Sequence, residues 1–169
     1  DDLQTLNKKA QEQTQTVINF LKSNGFDESE ITRSVPSLTD HRNEYNYRRA
    51  DSPDFTMYNT VTLYTTKVDE VLAVQDKLSE LIEQGIAFNV NEWSVTYNFT
   101  SLNNIKPEMI EQANRAAREA ANQFAKDSDS RLGKIKEASQ GLFSIEDRDR
   151  NTPYIKNVRV VTYVTYYLR

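Results

Sequence analysis

Residues 107–125 decide the fold of this chain, and they read PEMIEQANRAAREAANQFA. Their apolar side chains recur at spacings of three and four and so share one helical face: Ile110, Ala113, Ala117, Ala120, Ala121 and Phe124. Because alanine is small, this face lets a neighbouring element approach the helix backbone closely. The last predicted strand, residues 158–168, is rich in Val, Thr and Tyr and is the element that we expect the helix to cover. Pro107 is predicted in the first helical turn, where its missing N–H costs nothing.

Helices and strands alternate along the rest of the chain. Helices are predicted over residues 3–23 and 68–84, each followed by a glycine that ends it, Gly25 and Gly85. Alternating side chains predict strands over residues 31–38, 56–66, 86–100 (with a bulge near 91–92), 132–138 and 158–168. The predicted order is α-β-β-α-β-α-β-β. Neighbouring strands can pair as hairpins, so we predict an α+β fold with three helices on one face of a mixed or mainly antiparallel sheet.

Two of the predicted strands have residues that indicate their position in the sheet. Pro36 cannot donate a ladder hydrogen bond, so residues 31–38 are predicted at a sheet edge or a bulge. Residues 56–66 carry bulky side chains on both faces, which favours a central strand. Residues 40–54 hold hardly an aliphatic side chain and are predicted to form a long surface loop or hairpin extension. A plan of helix, strand, long polar connection and strand thus occurs at both ends of the chain.

Composition excludes several classes of function. A chain of 169 residues suits one domain, or two small lobes that share a core. Its 21 basic and 25 acidic residues leave a net charge of −4, without the basic excess of a nucleic-acid binder. The absence of cysteine excludes a disulfide framework, a thiol nucleophile and a thiolate metal site. No apolar run reaches the length of a membrane-spanning helix, so we predict no membrane span in this segment.

The titratable residues form no recognisable catalytic or metal-binding pattern. His41, the only histidine, lies in the polar 40–54 segment, where a solvated loop side chain is the ordinary interpretation. Asp127 with Asp129, and Asp147 with Asp149, lack the glycine and glutamate that a calcium loop needs after such a start. The four glycines are isolated and form no phosphate-binding pattern. We therefore predict no catalytic residue, no cofactor and no metal site.

An enzyme that uses carboxylates alone stays open as a third hypothesis. Its candidates are Glu146 and Asp147 with Arg148, and it requires a buried acid whose pKa is raised in a cleft. Asn98 begins a glycosylation acceptor triplet, Asn-Phe-Thr, but it lies in a predicted strand and such triplets are common by chance.

Tyrosine-rich strands are the remaining feature of the sequence. The ordinary interpretation is that Tyr fills a half-buried sheet with its hydroxyl at the rim. The basic and glycine residues of base-stacking RNA-binding strands are absent. An aromatic patch with a polar rim is also typical of subunit contacts. We therefore name six candidate interface residues: Tyr45, Tyr47, Phe143, Arg148, Tyr163 and Tyr166.

Several short sequence patterns, each of low specificity by itself, together resemble the SIMPL-domain family in their order and spacing. They are YNTVTL at residues 58–63 followed by VDEV at residues 68–71, the Ala-rich helix running into LGKI at residues 132–135, and the ending VRVVTYVTY at residues 158–166. The likeness covers essentially the whole chain. We expect a single SIMPL-like unit over residues 1–169, or two interleaved lobes, one at about residues 1–55 with the C-terminal strand and one at about residues 56–140.

The resemblance implies a bacterial cell-envelope protein of poorly defined function, periplasmic or associated with the outer membrane. Some members are linked to oxidative-stress tolerance, at least one assembles into a large hollow ring, and no catalytic residues are implied. Members usually begin with an Ile-x-Val-x-Gly strand before the first helix. This chain lacks that strand, so we expect a trimmed or mature chain without its export signal, whose sheet has one open edge.

These observations predict a non-enzymatic envelope protein that self-associates into a homo-oligomer through sheet edges and the long polar loops, with a link to envelope or oxidative-stress tolerance. The alternative is a module that binds a small ligand or a peptide in a cleft between the loops at residues 40–54 and 141–157. A concave, partly apolar pocket with convergent polar groups would support the alternative. The sequence does not identify the ligand.

Overall fold

A computed structural model describes residues 2–42, 53–90 and 94–169 and confirms the α+β class. Its helices are α1 (Leu3–Ser23), α2 (Val68–Asp76), α3 (Ser79–Glu83) and α4 (Leu102–Asp127), with a 3₁₀ helix at Glu28–Glu30. Its strands are β1 (Ile31–Arg33), β2 (Ser37–Asp40), β3 (Phe55–Tyr58), β4 (Val61–Leu63), β5 (Leu132–Asp147) and β6 (Lys156–Leu168). The strands pair as β1 with β4, β2 with β3 and β5 with β6, and each pair is antiparallel.

The chain divides into two compact units, the first at residues 1–89 and the second at residues 90–169. The first unit holds α1 to α3 with β1 to β4, and the second holds α4 with β5 and β6. Each unit thus contains the plan of helix, strand, connection and strand that the sequence indicates at both ends of the chain. The organisation as one unit or two interleaved lobes stays a prediction.

Helix α1 begins and ends as its sequence predicts. The Asp2 carboxylate accepts a 2.8 Å hydrogen bond from the Thr5 backbone N–H and caps the first turn. At the other end Gly25 has a φ of 98°, and the Phe26 N–H donates back to the Leu21 carbonyl at 3.3 Å. This Schellman motif requires a left-handed residue, a conformation that glycine adopts without steric penalty.

The hydrophobic core of the first unit lies between its helices. Its buried members lie at the end of α1, in α2 and α3, and in the turns that follow α1 and α3 in the sequence. They are Phe20, Leu21, Phe26, Val74, Leu81 and Ile86. Half-buried side chains of β1 and β4 pack against this cluster. The buried set is entirely apolar, so the hydrophobic effect is the main stabilising contribution there.

The regular elements predicted for the first unit are interrupted. The helix predicted over residues 68–84 breaks into α2 and α3 at Lys77 and Leu78. The strands predicted over residues 31–38 and 56–66 break as well, and the pairing register shifts so that one extra residue lies on the Pro36 side. Pro36, predicted at a sheet edge or a bulge, lies at this shift, where its missing N–H interrupts the ladder. Because β3 and β4 each pair with a single described strand, the prediction of a central strand there is wrong.

The strand predicted over residues 86–100 is not formed in the described part of that segment. Residues 86–90 and 95–100 contain no strand, and residues 91–93, where the bulge was predicted, lie outside the described residues. Burial nevertheless alternates residue by residue from Val95 to Thr100, as it does in a strand. What is missing is the ladder, since no backbone hydrogen bond joins residues 95–100 to another described residue.

Helix α4 begins earlier than predicted. It starts at Leu102, so Pro107 lies in the second turn rather than the first. Proline has no N–H to donate to the carbonyl four residues earlier, at Asn103. Pro107 lies past the first four N–H groups of the helix, which lack helical partners in any case, so α4 loses one internal hydrogen bond at this position.

The covered face of α4 is largely the predicted one. Half-buried or buried positions recur every fourth residue over its second half: Ala113, Ala117, Ala121 and Ala125. Ala120 and Phe124 were predicted on this face but are exposed, Phe124 to 76%. Residues four apart in an α-helix are offset by about 40° around the helix axis, so this row of alanines winds around α4. The hairpin beneath is twisted as well, and the row remains in contact with it along the helix. At the last turn the face is centred on Ala125, about 100° away from Phe124.

Helix α4 ends in the same motif as α1, but with a different residue. Asp129 has a φ of 50°, and the Ser130 N–H donates to the Ala125 carbonyl at 2.8 Å. Asp127 is the last residue of the helix, and Asp129 lies in the turn that follows it. The turn delivers the chain into β5, and α4 then packs mainly on β6 and less on β5.

Candidate functional site

The β5–β6 hairpin has 16 residues in β5 opposite 13 in β6. The ladder runs from Leu132 opposite Leu168 to Asp147 opposite Lys156 and shifts register three times. Each shift places one extra residue on β5, which accounts for the difference in length. One-residue β-bulges of this kind bend a strand, increase its twist and interrupt its edge. β5 is therefore bent and irregular, whereas β6 is regular.

Two glycines mark two of the bulges. Gly133 lies within the first register shift, where an added Cβ would meet the Tyr167 carbonyl oxygen at 2.8 Å. Gly141 lies within the third shift, where an added Cβ would meet the Val161 carbonyl oxygen at 3.0 Å. An isolated glycine inside a strand pattern is the sequence signal for a bulge or for close backbone approach. This signal was present in the sequence, and it could have located both bulges.

β5 continues past residue 138, where the sequence predicts its end, as far as Asp147. The small and polar residues 139–141 indicate a loop by composition, but in the structure they belong to the bulged strand. The predicted loop over residues 141–157 is therefore wrong, since the connection between the strands covers only residues 148–155.

The hydrogen-bond alternation shows which backbone groups of β6 face outward. Successive residues of an antiparallel strand alternately bond to the partner and point away from it. Arg169 exchanges two backbone hydrogen bonds with Arg131, at 2.7 and 2.8 Å, and the Ile155 carbonyl accepts from the Arg148 N–H at 2.8 Å. Odd-numbered residues of β6 therefore bond to β5. The N–H and C=O groups of residues 158, 160, 162, 164 and 166 point to the outer edge, where no described strand pairs with them.

The two outer edges of this hairpin differ in how well they are blocked. Natural proteins block exposed edges with bulges, charged side chains or proline. β5 carries three bulges and the charged residues Lys134, Lys136 and Glu137. β6 carries no bulge, no proline, no glycine and no charge between Arg159 and its end at Leu168. The outer edge of β6 is therefore the one that can accept another strand.

Helix α4 covers one face of the hairpin, and no described element covers the other, which we call the open face. The even-numbered side chains of β6 from Val158 to Tyr166 are half-buried on the α4 side. Tyr163 and Tyr167 lie on the opposite face, exposed to 64% and 54%. The Tyr163 ring lies over Gly141, with a ring carbon 3.6 Å from the position of an added Cβ. The open face is thus partly aromatic.

The predicted interface residues of the hairpin lie on different surfaces. Tyr163 lies on the open face, whereas Tyr166 and Phe143 are half-buried on the α4 side. The Lys106 ammonium of α4 lies 5.6 Å from the centre of the Phe143 ring, a cation–π distance. Tyr163 and Tyr166 are an odd number of residues apart, which alone places them on opposite faces of a strand.

The remaining predicted interface residues lie in connections. Arg148 directly follows β5, and its guanidinium donates to the Asp149 carboxylate at 2.9 Å. Asp149 also accepts from the Thr152 hydroxyl and backbone N–H, and its bonds to Thr152 and Arg148 lower its pKa to about 2. Tyr45 and Tyr47 lie outside the described residues.

Side chains with catalytic or metal-binding potential are dispersed. The Nε2 of His41 lies 2.9 Å from the Thr56 hydroxyl, across the β2–β3 pair. Glu146, Asp147 and Arg148 are exposed, whereas the carboxylate-only hypothesis requires an acid buried in a cleft. Over residues 2–42, 53–90 and 94–169, no three His, Asp or Glu side chains converge as metal ligands. That the protein is not an enzyme stays a prediction.

An ion cluster in the first unit, which we call the Lys67 clamp, joins the turn before β1 to the connection after β4. The Lys67 ammonium lies 2.8 Å from carboxylate oxygens of both Asp27 and Glu30. Glu30 also accepts from the Thr65 hydroxyl at 2.6 Å. The hydrogen bond from Lys67, followed by that from Thr65, lowers the pKa of Glu30 to about 2. The bonds to Asp27 and Glu30 raise the pKa of Lys67.

A shallow depression of about 130 Å³ lies between α1 and β1. Its polar lining includes Lys22, Glu28 and Arg33, and the Lys22 ammonium lies 2.7 Å from the Glu28 carboxylate. Small-molecule pockets usually enclose about 300–1,000 Å³ with a largely apolar lining. This depression is smaller and more polar, so it gives little support to ligand binding.

The family assignment follows from a comparison of the whole sequence. The sequence model of SIMPL, described as a protein of unknown function (DUF541), matches residues 1–162. The chain belongs to the SIMPL family. No curated protein matches this SIMPL chain. Among its described residues, no helix is long and apolar enough to cross a membrane.

Proposed function

We propose that this SIMPL protein is a non-enzymatic envelope protein that self-associates into a homo-oligomer through the outer edge of β6. One observation carries the proposal: β6 is a regular 13-residue strand whose outward backbone groups pair with no strand of the described residues, and the edge of its partner β5 is interrupted by bulges. An exposed edge of this kind accepts a strand from another chain through main-chain hydrogen bonds.

The side chains of β6 are compatible with pairing to a second copy of β6. An antiparallel pair centred on Thr162 would place Val160 opposite Val164 on the α4 side. It would place Arg159 opposite Thr165, so that no two like charges meet directly across the pair. β-branched pairs stabilise antiparallel strands, whereas opposed like charges destabilise them. The strand is self-complementary in this register.

The cell-envelope part of the proposal rests on the family resemblance. It comprises a periplasmic or outer-membrane-associated location and a link to envelope or oxidative-stress tolerance. Fractionation of cells that express the protein tests the location. Recovery with the cytoplasmic fraction would contradict it.

Light scattering coupled to gel filtration tests self-association directly. We expect the mean mass of the chain to exceed that of a monomer in the micromolar range and to rise with concentration. Leu142→Ser is the matched control, because Leu142 is exposed to 93% on the bulged strand and contributes nothing to the β6 edge. A monomer at every concentration would contradict the proposal, and loss of the oligomer in Leu142→Ser would move the interface away from the β6 edge.

The alternative, a small-ligand or peptide-binding module, has less support. Residues 43–52 of its first loop lie outside the described residues, and its second loop is reduced to residues 148–155. The depression between α1 and β1 is small and polar. No observation favours this function over self-association, and it stays a prediction.

A further inference from the structure

Residues 95–100, which we call the strap, carry the side-chain pattern of a strand without a ladder. Val95, Tyr97 and Phe99 are half-buried, while the three residues between and after them are exposed. None of the strap's backbone groups bonds to a backbone group of another described residue. Backbone groups that are partly shielded from water and left unpaired cost free energy, so this arrangement favours a partner for the strap.

The strap is anchored beside the start of β6. The rings of Tyr97 and Tyr154 meet edge to face, with centroids 5.8 Å apart, and Tyr154 lies two residues before β6. Burial, and then the neighbouring Tyr154, raises the pKa of Tyr97. Among the described residues of the second unit, two sets of backbone groups therefore lack a backbone partner, one on the strap and one on the outer edge of β6. The ring contact holds the strap near the start of β6.

The placement of α4 over β6 is the one expected for a sheet with a third strand beyond β6. α4 packs mainly on β6, although β6 is an outer strand of its two-stranded sheet. A helix that covers a sheet commonly lies over its middle, and β6 becomes the middle strand once a third strand is added beyond it.

The direction of the strap follows from α4. Lys106, near the start of α4, lies over Phe143, which is opposite Val160. The end of α4 leads within five residues to Leu132, which is opposite Leu168. α4 therefore runs in the same direction as β6, and a strap that reverses directly into α4 runs antiparallel to β6.

We propose that the strap closes onto the outer edge of β6 as a third, antiparallel strand, and that it is the intramolecular competitor of a second copy for that edge. The competition rests on the proposed self-association, whereas closure of the strap stands by itself. In this arrangement the strap sets how readily two copies pair, because it must leave the edge before another β6 can bind there.

Amide hydrogen exchange of the full chain, read residue by residue, tests the proposal. The six-residue strap can face about three of the outward amides at residues 158, 160, 162, 164 and 166. We expect a consecutive set of about three of these amides to exchange at least about tenfold more slowly than in an unfolded chain, at every protein concentration. Asn98→Pro, at an exposed strap position, should return these amides towards the unfolded rate while the amides of Tyr163 and Thr165 keep their protection. Asn98→Ala, the matched control, should change neither set.

The outcomes separate the strap from self-association. If the outward amides of the wild type exchange at the unfolded rate, closure of the strap onto β6 is contradicted, whatever the oligomeric state. Protection that appears only as concentration rises would also overturn it, while supporting self-association. Protection in a protein that stays monomeric would support the strap and contradict the proposed function. If Asn98→Pro loses protection at all amides, the variant has failed to fold. In that case the concentration series on the wild type still decides whether the strap or a second copy protects the outward amides.

Discussion

At the scale of the residue, Asp129 is the described non-glycine residue with a positive φ. It occupies the position at the end of α4 that Gly25 occupies at the end of α1, and aspartate pays a steric penalty there. We expect Asp129→Gly to raise the free energy of unfolding by about 0.5–1 kcal/mol. Urea denaturation measures this change. Gly25→Ala is the reciprocal control and should lower stability by a similar amount; a stabilising Gly25→Ala would contradict the strain argument.

The Lys67 clamp makes stability depend on pH. The folded pKa of Glu30 is about 2, below its ordinary value of 4.5, so its contribution is fully present above pH 4.5. As pH falls from about 4.5 to about 2, the unfolded state takes up the proton first and this contribution is lost. We expect the urea midpoint of the wild type to fall more steeply over that range than the midpoint of Glu30→Gln. Glu119→Gln, an exposed change on α4, should keep the wild-type slope; equal slopes in all three would contradict the role of Glu30.

Single residues were the best-predicted level of the structure. Gly25 and Gly85 end helices as predicted, because the left-handed requirement acts over a few neighbouring residues. Pro107 was misplaced by one turn, since its compatibility with the first turn does not show that a helix begins there. Of the candidate interface residues, the strand period alone could have separated Tyr163 from Tyr166.

At the scale of the element, the alanine ridge of α4 can be tested by overpacking. Ala117 is half-buried against the hairpin, whereas Ala116 beside it is exposed. We expect Ala117→Leu to lower the free energy of unfolding by about 1–3 kcal/mol, because the larger side chain forces the helix off β6. Ala116→Gln should be nearly neutral. Thermal or urea unfolding measures both, and equal losses at the two positions would contradict the assigned face.

Strands were predicted less well than helices, and the hairpin shows why. The alternation of Val158, Val160, Val164 and Tyr166 located β6 correctly, because the period of two is local. The length of β5 depends on its cross-strand partners, so its composition past residue 138 was misleading. The strap has the same alternation as β6 but no ladder in the structure, since pairing is decided by residues far away in the sequence.

At the scale of the whole molecule, the two units share the order helix, strand, connection and strand but differ in their hairpins and in the packing of their helices. In the first unit the hairpin is short and interrupted at Pro36, and a compact apolar cluster lies between its helices. In the second, the hairpin is long and a small-residue helix lies on the strand with the regular edge. The sequence predicted this plan at both ends of the chain. It could not predict which edge is left open, because the bulges that distinguish β5 from β6 depend on register.

The central claim is that the outer edge of β6 joins two copies, and one substitution tests it most directly. The N–H of Val164 points outward, so proline there removes an edge donor while the ladder to β5 keeps its bonds. Val164→Ala shortens the side chain but keeps the donor, and so controls for lost packing against α4. Light scattering should show Val164→Ala forming the wild-type oligomer and Val164→Pro remaining a folded monomer at the same concentration. A wild-type oligomer in folded Val164→Pro would contradict the account.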